Sequence, residues 1–195
     1  STVDRIRITA AKTILTLIAI LSFSMFLYIS RKRLFYNTKD FFFLYSMFLL
    51  TIAVGSISYF QNINILAIPV LFFPLIVNIL FGTRPALYLL LGTTMLISYY
   101  APNNYMYFFM QIAAGIVAMF SLSHLQRRSQ LFIALALIFL TYVLVYGAFT
   151  LIQEGSFAPK HLFAILLLLI NTVLLSLIYP ALYLVEKLFG YTSEI

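Results

Sequence analysis

The chain is a succession of apolar runs, each near the length needed to cross a bilayer and separated by polar breaks of at most ten residues. Seven such runs can be read, at about 13–30, 41–60, 63–81, 86–100, 105–122, 131–152 and 161–185. A helix needs about 20 mostly apolar residues to cross roughly 30 Å of hydrocarbon. Hydrophobic residues make up 64% of the chain and charged residues 9%, which is more apolar surface than one water-soluble core of 195 residues can hide. The expected fold is an all-α membrane protein: a polytopic bundle of about seven transmembrane helices, one domain over residues 1–195. A signal peptide does not explain the pattern, because six further runs follow the first. With no cysteine, disulfides, thiolate metal sites and a cysteine nucleophile are all ruled out.

The net charge of +7 points to lipid headgroups and not to nucleic acid, since the Lys and Arg residues sit in breaks beside apolar runs. Arg31, Lys32, Arg33, Lys39, Arg84, Arg127, Arg128 and Lys187 fall on one side of a seven-span arrangement. Only Arg5, Arg7, Lys12 and Lys160 fall on the other. The positive-inside rule then puts the N-terminus outside and the C-terminus in the cytoplasm, with Arg31, Lys32, Arg33, Arg84, Arg127 and Arg128 as topological anchors. Residues 1–12 read as an outer juxtamembrane entry and residues 186–195 as a cytoplasmic exit. Tyr59, Phe60, Tyr99, Tyr100, Tyr105 and Tyr107 crowd the two uncharged breaks, as expected of an interfacial aromatic belt. The fourth run is short, about 22 Å as helix. Runs 63–81 and 86–100 could instead form a re-entrant pair around Gly82, leaving five crossings and both ends where they were. Pro69 and Pro74 should bend the third helix and Pro180 the seventh, whereas Pro85, behind Thr83 as N-cap, suits a first helical turn.

No Asp, Glu, Lys, Arg or His lies near the centre of any run, which argues against acid-base or ion-coupled chemistry inside the bilayer. No catalytic residue, metal site or cofactor is expected in this chain. His124 and His161 read as interfacial. Three amides do enter the runs, Asn78, Gln111 and Asn171, and an amide in hydrocarbon seeks a partner on a neighbouring helix for roughly 0.6 to 2 kcal/mol. They are expected to join helices, with a polar ligand site as the alternative. Ala113, Ala114, Gly115 and Ala118 offer a face for close packing, and a homodimer is compatible with the sequence. The last run continues without a break into Glu186-Lys187-Leu188-Phe189-Gly190-Tyr191, and the first residue is Ser1, so a membrane domain taken from a longer protein is expected.

Several stretches resemble one bacterial family, the seven-transmembrane receptors with an intracellular HD hydrolase domain, of the cyclic di-AMP phosphodiesterase type. They are Leu80 to Leu87, Gln111 to Ala118, Arg127 to Leu131, Ile152 to Ser156 and, most specific, Tyr179-Pro180-Ala181-Leu182-Tyr183-Leu184-Val185-Glu186-Lys187-Leu188-Phe189-Gly190. Residues 1–60 match the family only in hydropathy. The resemblance implies a parent in the bacterial cytoplasmic membrane, with an extracellular sensory domain before the bundle and a metal-dependent HD phosphodiesterase after it. Pro180, Glu186, Lys187 and Gly190 become candidates for coupling to that enzyme. The sequence has no His-Asp dipeptide, so hydrolysis is not expected of these residues. Two rivals are a membrane component that captures a vitamin-type solute for a transporter, and a passive anchor. The orientation is checked by adding cysteines to this cysteine-free chain. One at Asn103 should react with an impermeant maleimide in intact cells and one at Thr38 only after permeabilisation, and the reverse pattern would overturn it.

Overall fold

A computed structural model describes residues 2–122 and 128–191, and it is helical throughout. In chain order the elements are α1 (Thr2–Ser30), α2 (Lys32–Tyr36), α3 (Thr38–Gln61), α4 (Phe72–Phe81), α5 (Thr83–Ile97), α6 (Asn104–Leu122), α7 (Arg128–Glu154), α8 (Lys160–Leu175) and α9 (Ile178–Phe189), with single 3-10 turns at Ile65–Ala67 and Ser98–Tyr100. Helix α1 begins at Thr2, so the described entry residues are part of it. Among the described residues five helical stretches, not seven, are long and apolar enough to cross a membrane: Val3–Ser30, Thr38–Gln61, Asn104–Leu122, Gln130–Glu154 and Lys160–Phe189.

The other two expected spans, 63–81 and 86–100, contain helices of only 10 and 15 residues, about 15 Å and 22 Å at 1.5 Å per residue. The cause of the first shortening is Pro69. A residue before proline is pushed out of the helical region, and Ile68 is extended at φ −88°, ψ 122°. Pro69 does not bend a helix, since α4 starts only at Phe72, and Pro74 sits in its first turn, where a missing N–H is harmless. Gly82 then ends α4 and begins α5 at φ 89°, ψ 175°, a conformation open to a residue without Cβ. It takes the N-cap position expected of Thr83, which becomes the first residue of α5.

The two short helices form the centre. Leu71, Leu75, Ile76 and Val77 around α4, and Ala86, Leu89, Leu90 and Ile97 of α5, are almost completely buried. The long helices surround them and turn Leu17, Leu21, Phe42, Leu144, Phe163 and many similar side chains outward, as lipid-facing surfaces require. Small residues bring the layers together. A Cβ on Gly115 of α6 would strike the Leu90 side chain, and one on Gly55 of α3 would lie 2.6 Å from Ile97.

Side-chain contacts define two ends of the bundle. At one end Phe43 of α3 meets Phe81 of α4 and Phe189 of α9, with ring centroids 5.6 and 5.2 Å away. At the other, Tyr59 of α3 meets Tyr100 beyond α5 at 5.4 Å, and Asn103 hydrogen-bonds Gln153 of α7 at 2.9 Å. The α4–α5 turn at Gly82 therefore lies at the Phe43 end. Replacing Gly115 by Val should overpack the Leu90 contact and cost about 1 to 3 kcal/mol, read as a lower melting temperature in detergent; no change would show that the layers can part freely.

Candidate functional site

The expected unbroken last helix is interrupted, and Pro180 is the reason. Without an N–H it cannot bond the carbonyl of Ser176, and the chain tightens just before it. Ser176 and Leu177 donate to Val173 and Leu174 at 3.0 and 3.1 Å, a 3-10 pattern, and the Ser176 hydroxyl also bonds Val173 O at 2.6 Å. Regular helix resumes at Ile178 as α9. At the far end Gly190 adopts the left-handed conformation, φ 65°, and its N–H closes α9 on Glu186 O at 2.8 Å. Lys187 is exposed in the last turn, where a cation suits the helix dipole.

The left-handed cap turns Tyr191 back against the bundle. Its hydroxyl donates to Asp40 Oδ1 at 2.7 Å, across 151 positions of sequence. The Lys39 ammonium lies 4.3 Å from the centre of the Tyr191 ring, and the rings of Phe43 and Phe81 each lie 5.2 Å from it. Burial first, and then the Asp40 hydrogen bond and charge, push the Tyr191 phenol above its ordinary range, so it remains a donor near neutral pH. Asn37 fixes the other side of this clamp by capping α3, its side-chain oxygen accepting from the backbone of Lys39 at 3.1 Å and of Asp40 at 3.4 Å. The exit of α9 is thus tied to the start of α3 and the end of α4.

The three amides do not converge; each joins a different pair of elements. Asn78 Nδ2 of α4 donates to Met119 O of α6 at 3.2 Å. Gln111 Oε1 of α6 accepts from the Tyr142 hydroxyl of α7 at 3.0 Å. Asn171 Nδ2 of α8 donates to two backbone carbonyls, Leu66 O at 3.0 Å and Ile68 O at 2.8 Å. All three side chains are buried. Asn171 therefore serves the irregular backbone that Pro69 creates, one amide group supplying both protons. Of the basic anchors, Arg31, Lys32, Arg33 and Arg84 are exposed. Arg84 sits in the first turn of α5, where the helix dipole disfavours a cation, so helix energetics do not account for it. Arg127 and His124 lie outside the described residues, and Arg128 opens α7.

The sequence reading missed a polar chain at the Tyr59 end. His161, read there as interfacial, is buried, with Nδ1 2.9 Å from the Tyr146 hydroxyl and Nε2 3.2 Å from Glu154, whose carboxylate also pairs with Lys160 at 2.7 Å. The available signal was Glu154 and Lys160-His161 flanking one short turn. Among the described residues no group of three or more His, Cys, Asp or Glu is placed to hold a metal. The metal centre of an HD hydrolase does not fit these residues.

Long apolar helices around a buried helical pair, joined to its neighbours by the amides of Asn78 and Asn171, define a polytopic membrane domain. Residues 7–193 match the family described as 7TM receptor with intracellular HD hydrolase, and the chain belongs to that family. No curated protein and no solved structure matches it significantly. Replacing Asn171 by Leu strands the Leu66 carbonyl and leaves Ile68 O with only the Val70 N–H, at 2.9 Å, and should cost about 1 to 3 kcal/mol. Faster amide exchange across residues 65–72 than elsewhere would locate the damage, and uniform exchange would contradict this pairing.

Proposed function

We propose that this bundle is the membrane relay of a receptor-type cyclic dinucleotide phosphodiesterase, carrying a signal from an extracellular sensory domain to a cytoplasmic HD hydrolase joined beyond α9. Residues 1–195 act as one domain in the bacterial cytoplasmic membrane. All seven runs cross it, five as long helices and two as the discontinuous central pair. The Phe43 end faces the cytoplasm, because Arg31, Lys32, Arg33, Lys39, Arg84 and Lys187 belong to it. Cyclic di-AMP is the substrate we assign to the attached enzyme, on the resemblance carried by Tyr179 to Gly190, and the metal it needs would be held there.

The observation that carries this reading is the clamp on Tyr191. An anchor needs only to hold a polypeptide in the bilayer. Here the residue just past the α9 cap is tied to α3 and α4 by a hydrogen bond, a cation–π contact and two aromatic rings, those of Phe43 and Phe81. Any repacking of α3 or α4 therefore reaches the segment from which the enzyme hangs, and the break before Pro180 gives α9 room to tilt. Useful regulation needs a coupling of about 1 to 3 kcal/mol between two arrangements, roughly 5- to 150-fold.

Asp40→Asn and Tyr191→Phe in the full-length protein, reconstituted in nanodiscs, should each shift cyclic di-AMP hydrolysis by roughly fivefold or more, the lower end of that range. Pro180→Ala, which restores a donor and stiffens the joint, should blunt the response to deletion of the sensory domain. If all three variants behave as wild type, or if an unrelated membrane anchor preserves the regulation, the bundle is a passive tether.

A further inference from the structure

A groove of about 330 Å³ opens between α1 and α5 toward the Tyr59 end, and its lining includes no residue of the clamp or of the His161 chain. That volume is at the lower end of small-molecule sites, which run from about 300 to 1,000 Å³. Its walls are mostly apolar, and small residues, Ala19 and Gly92, lie among larger ones. A Cβ on Gly92 would already press on Phe48 at 3.1 Å. Toward the Phe43 end Tyr88, which lines the groove, stacks on Phe26 with ring centroids 3.5 Å apart. Along α1 the lining runs from Lys12 to Phe23. Eleven residues of rise make about 16 Å, half of the roughly 30 Å hydrocarbon core and so the depth of one leaflet.

The rim is charged in one sense only. The Lys12 ammonium stands 5.8 Å from the Tyr59 ring and 5.6 Å from the Tyr99 ring, and among the described residues no carboxylate pairs with it. The Thr16 hydroxyl, one turn deeper, is committed to Lys12 O at 2.9 Å. An apolar slot one leaflet deep, with a cation at headgroup level, matches an acyl chain beneath an anionic head and has little to offer a polar solute. We propose that this groove holds one acyl chain of an anionic phospholipid from the leaflet at the Tyr59 end, its phosphate at Lys12. The occupant would sit between α1, whose first half is otherwise exposed to lipid, and the central helix α5.

The test places the full chain in phosphatidylcholine nanodiscs doped with a trace of phosphatidylglycerol, phosphatidylcholine or free fatty acid, each carrying a photoreactive group near the chain end. After irradiation, labelled peptides are mapped by mass spectrometry. Phosphatidylglycerol should label residues 16–23 and 88–96 roughly fivefold more than phosphatidylcholine does, the preference expected of one lysine near the surface. Lys12→Gln should bring the two lipids level. Ser22→Phe, at an exposed lining position, should suppress labelling by both while the protein stays monodisperse with an unchanged melting temperature. Equal labelling by the two phospholipids in the wild type, persistence of the preference in Lys12→Gln, or labelling by the fatty acid in place of phosphatidylglycerol would each overturn the proposal.

Discussion

The structure depends on one side-chain amide giving two protons to a stretch of backbone that has no helix to satisfy it. In hydrocarbon every N–H and C=O must find a partner within the protein, which is why spans are normally continuous helices. Between α3 and α4 the chain breaks that rule at Pro69. It survives because the break is enclosed by protein and Asn171 reaches across from α8 to the carbonyls of Leu66 and Ile68. The arrangement of the bundle follows. A segment with irregular backbone cannot face lipid, so α4 and its partner α5 occupy the centre, and the longer helices take the lipid-facing positions.

A second break, before Pro180, is handled differently. Here the backbone groups are absorbed locally, by 3-10 bonds and the Ser176 hydroxyl. Leu177 is exposed there, while Ile178 is buried. The α8–α9 joint lies on the last apolar stretch before the clamp.

Much of this was legible in the sequence, and what was not has a physical pattern. The apolar runs located α3, α6 and α7 to within three residues at each end, because lipid solvation leaves a strong one-dimensional signal. The three amides stood out because polar groups in such runs are costly. What failed was the treatment of 63–81 as one bent helix, while the bend expected at Pro180 is a break between α8 and α9 within the single apolar stretch Lys160–Phe189. Both contain prolines, but whether a proline bends a helix or ends it depends on what encloses the freed carbonyls, and here that is a residue more than 100 positions away. The clamp was hidden for the same reason: Tyr191 and Asp40 meet only after the whole bundle has formed. For His161, hydropathy gave a depth at the end of a span and did not say whether the ring faces outward or toward Tyr146.

The groove and the clamp lie at opposite ends, yet they share a short physical route. Helix α5 is one wall of the groove, it joins α4 through Gly82, and Phe81 at the end of α4 touches Tyr191. Contiguity alone does not couple two sites; coupling needs an element with two arrangements that both sites bias. The central pair is a poor candidate for that element, since Leu75, Val77, Leu89 and Leu90 are fully buried and Asn171 and Asn78 tie the backbone on either side of α4. It is better suited to move as a block. A lipid tail that widened the α1–α5 separation would shift this block slightly, and the block would carry Phe81 against the aromatic face of Tyr191. A displacement carried by Phe81 would reach Tyr191 directly, so a small change beside Lys12 need not deform the core to reach the exit.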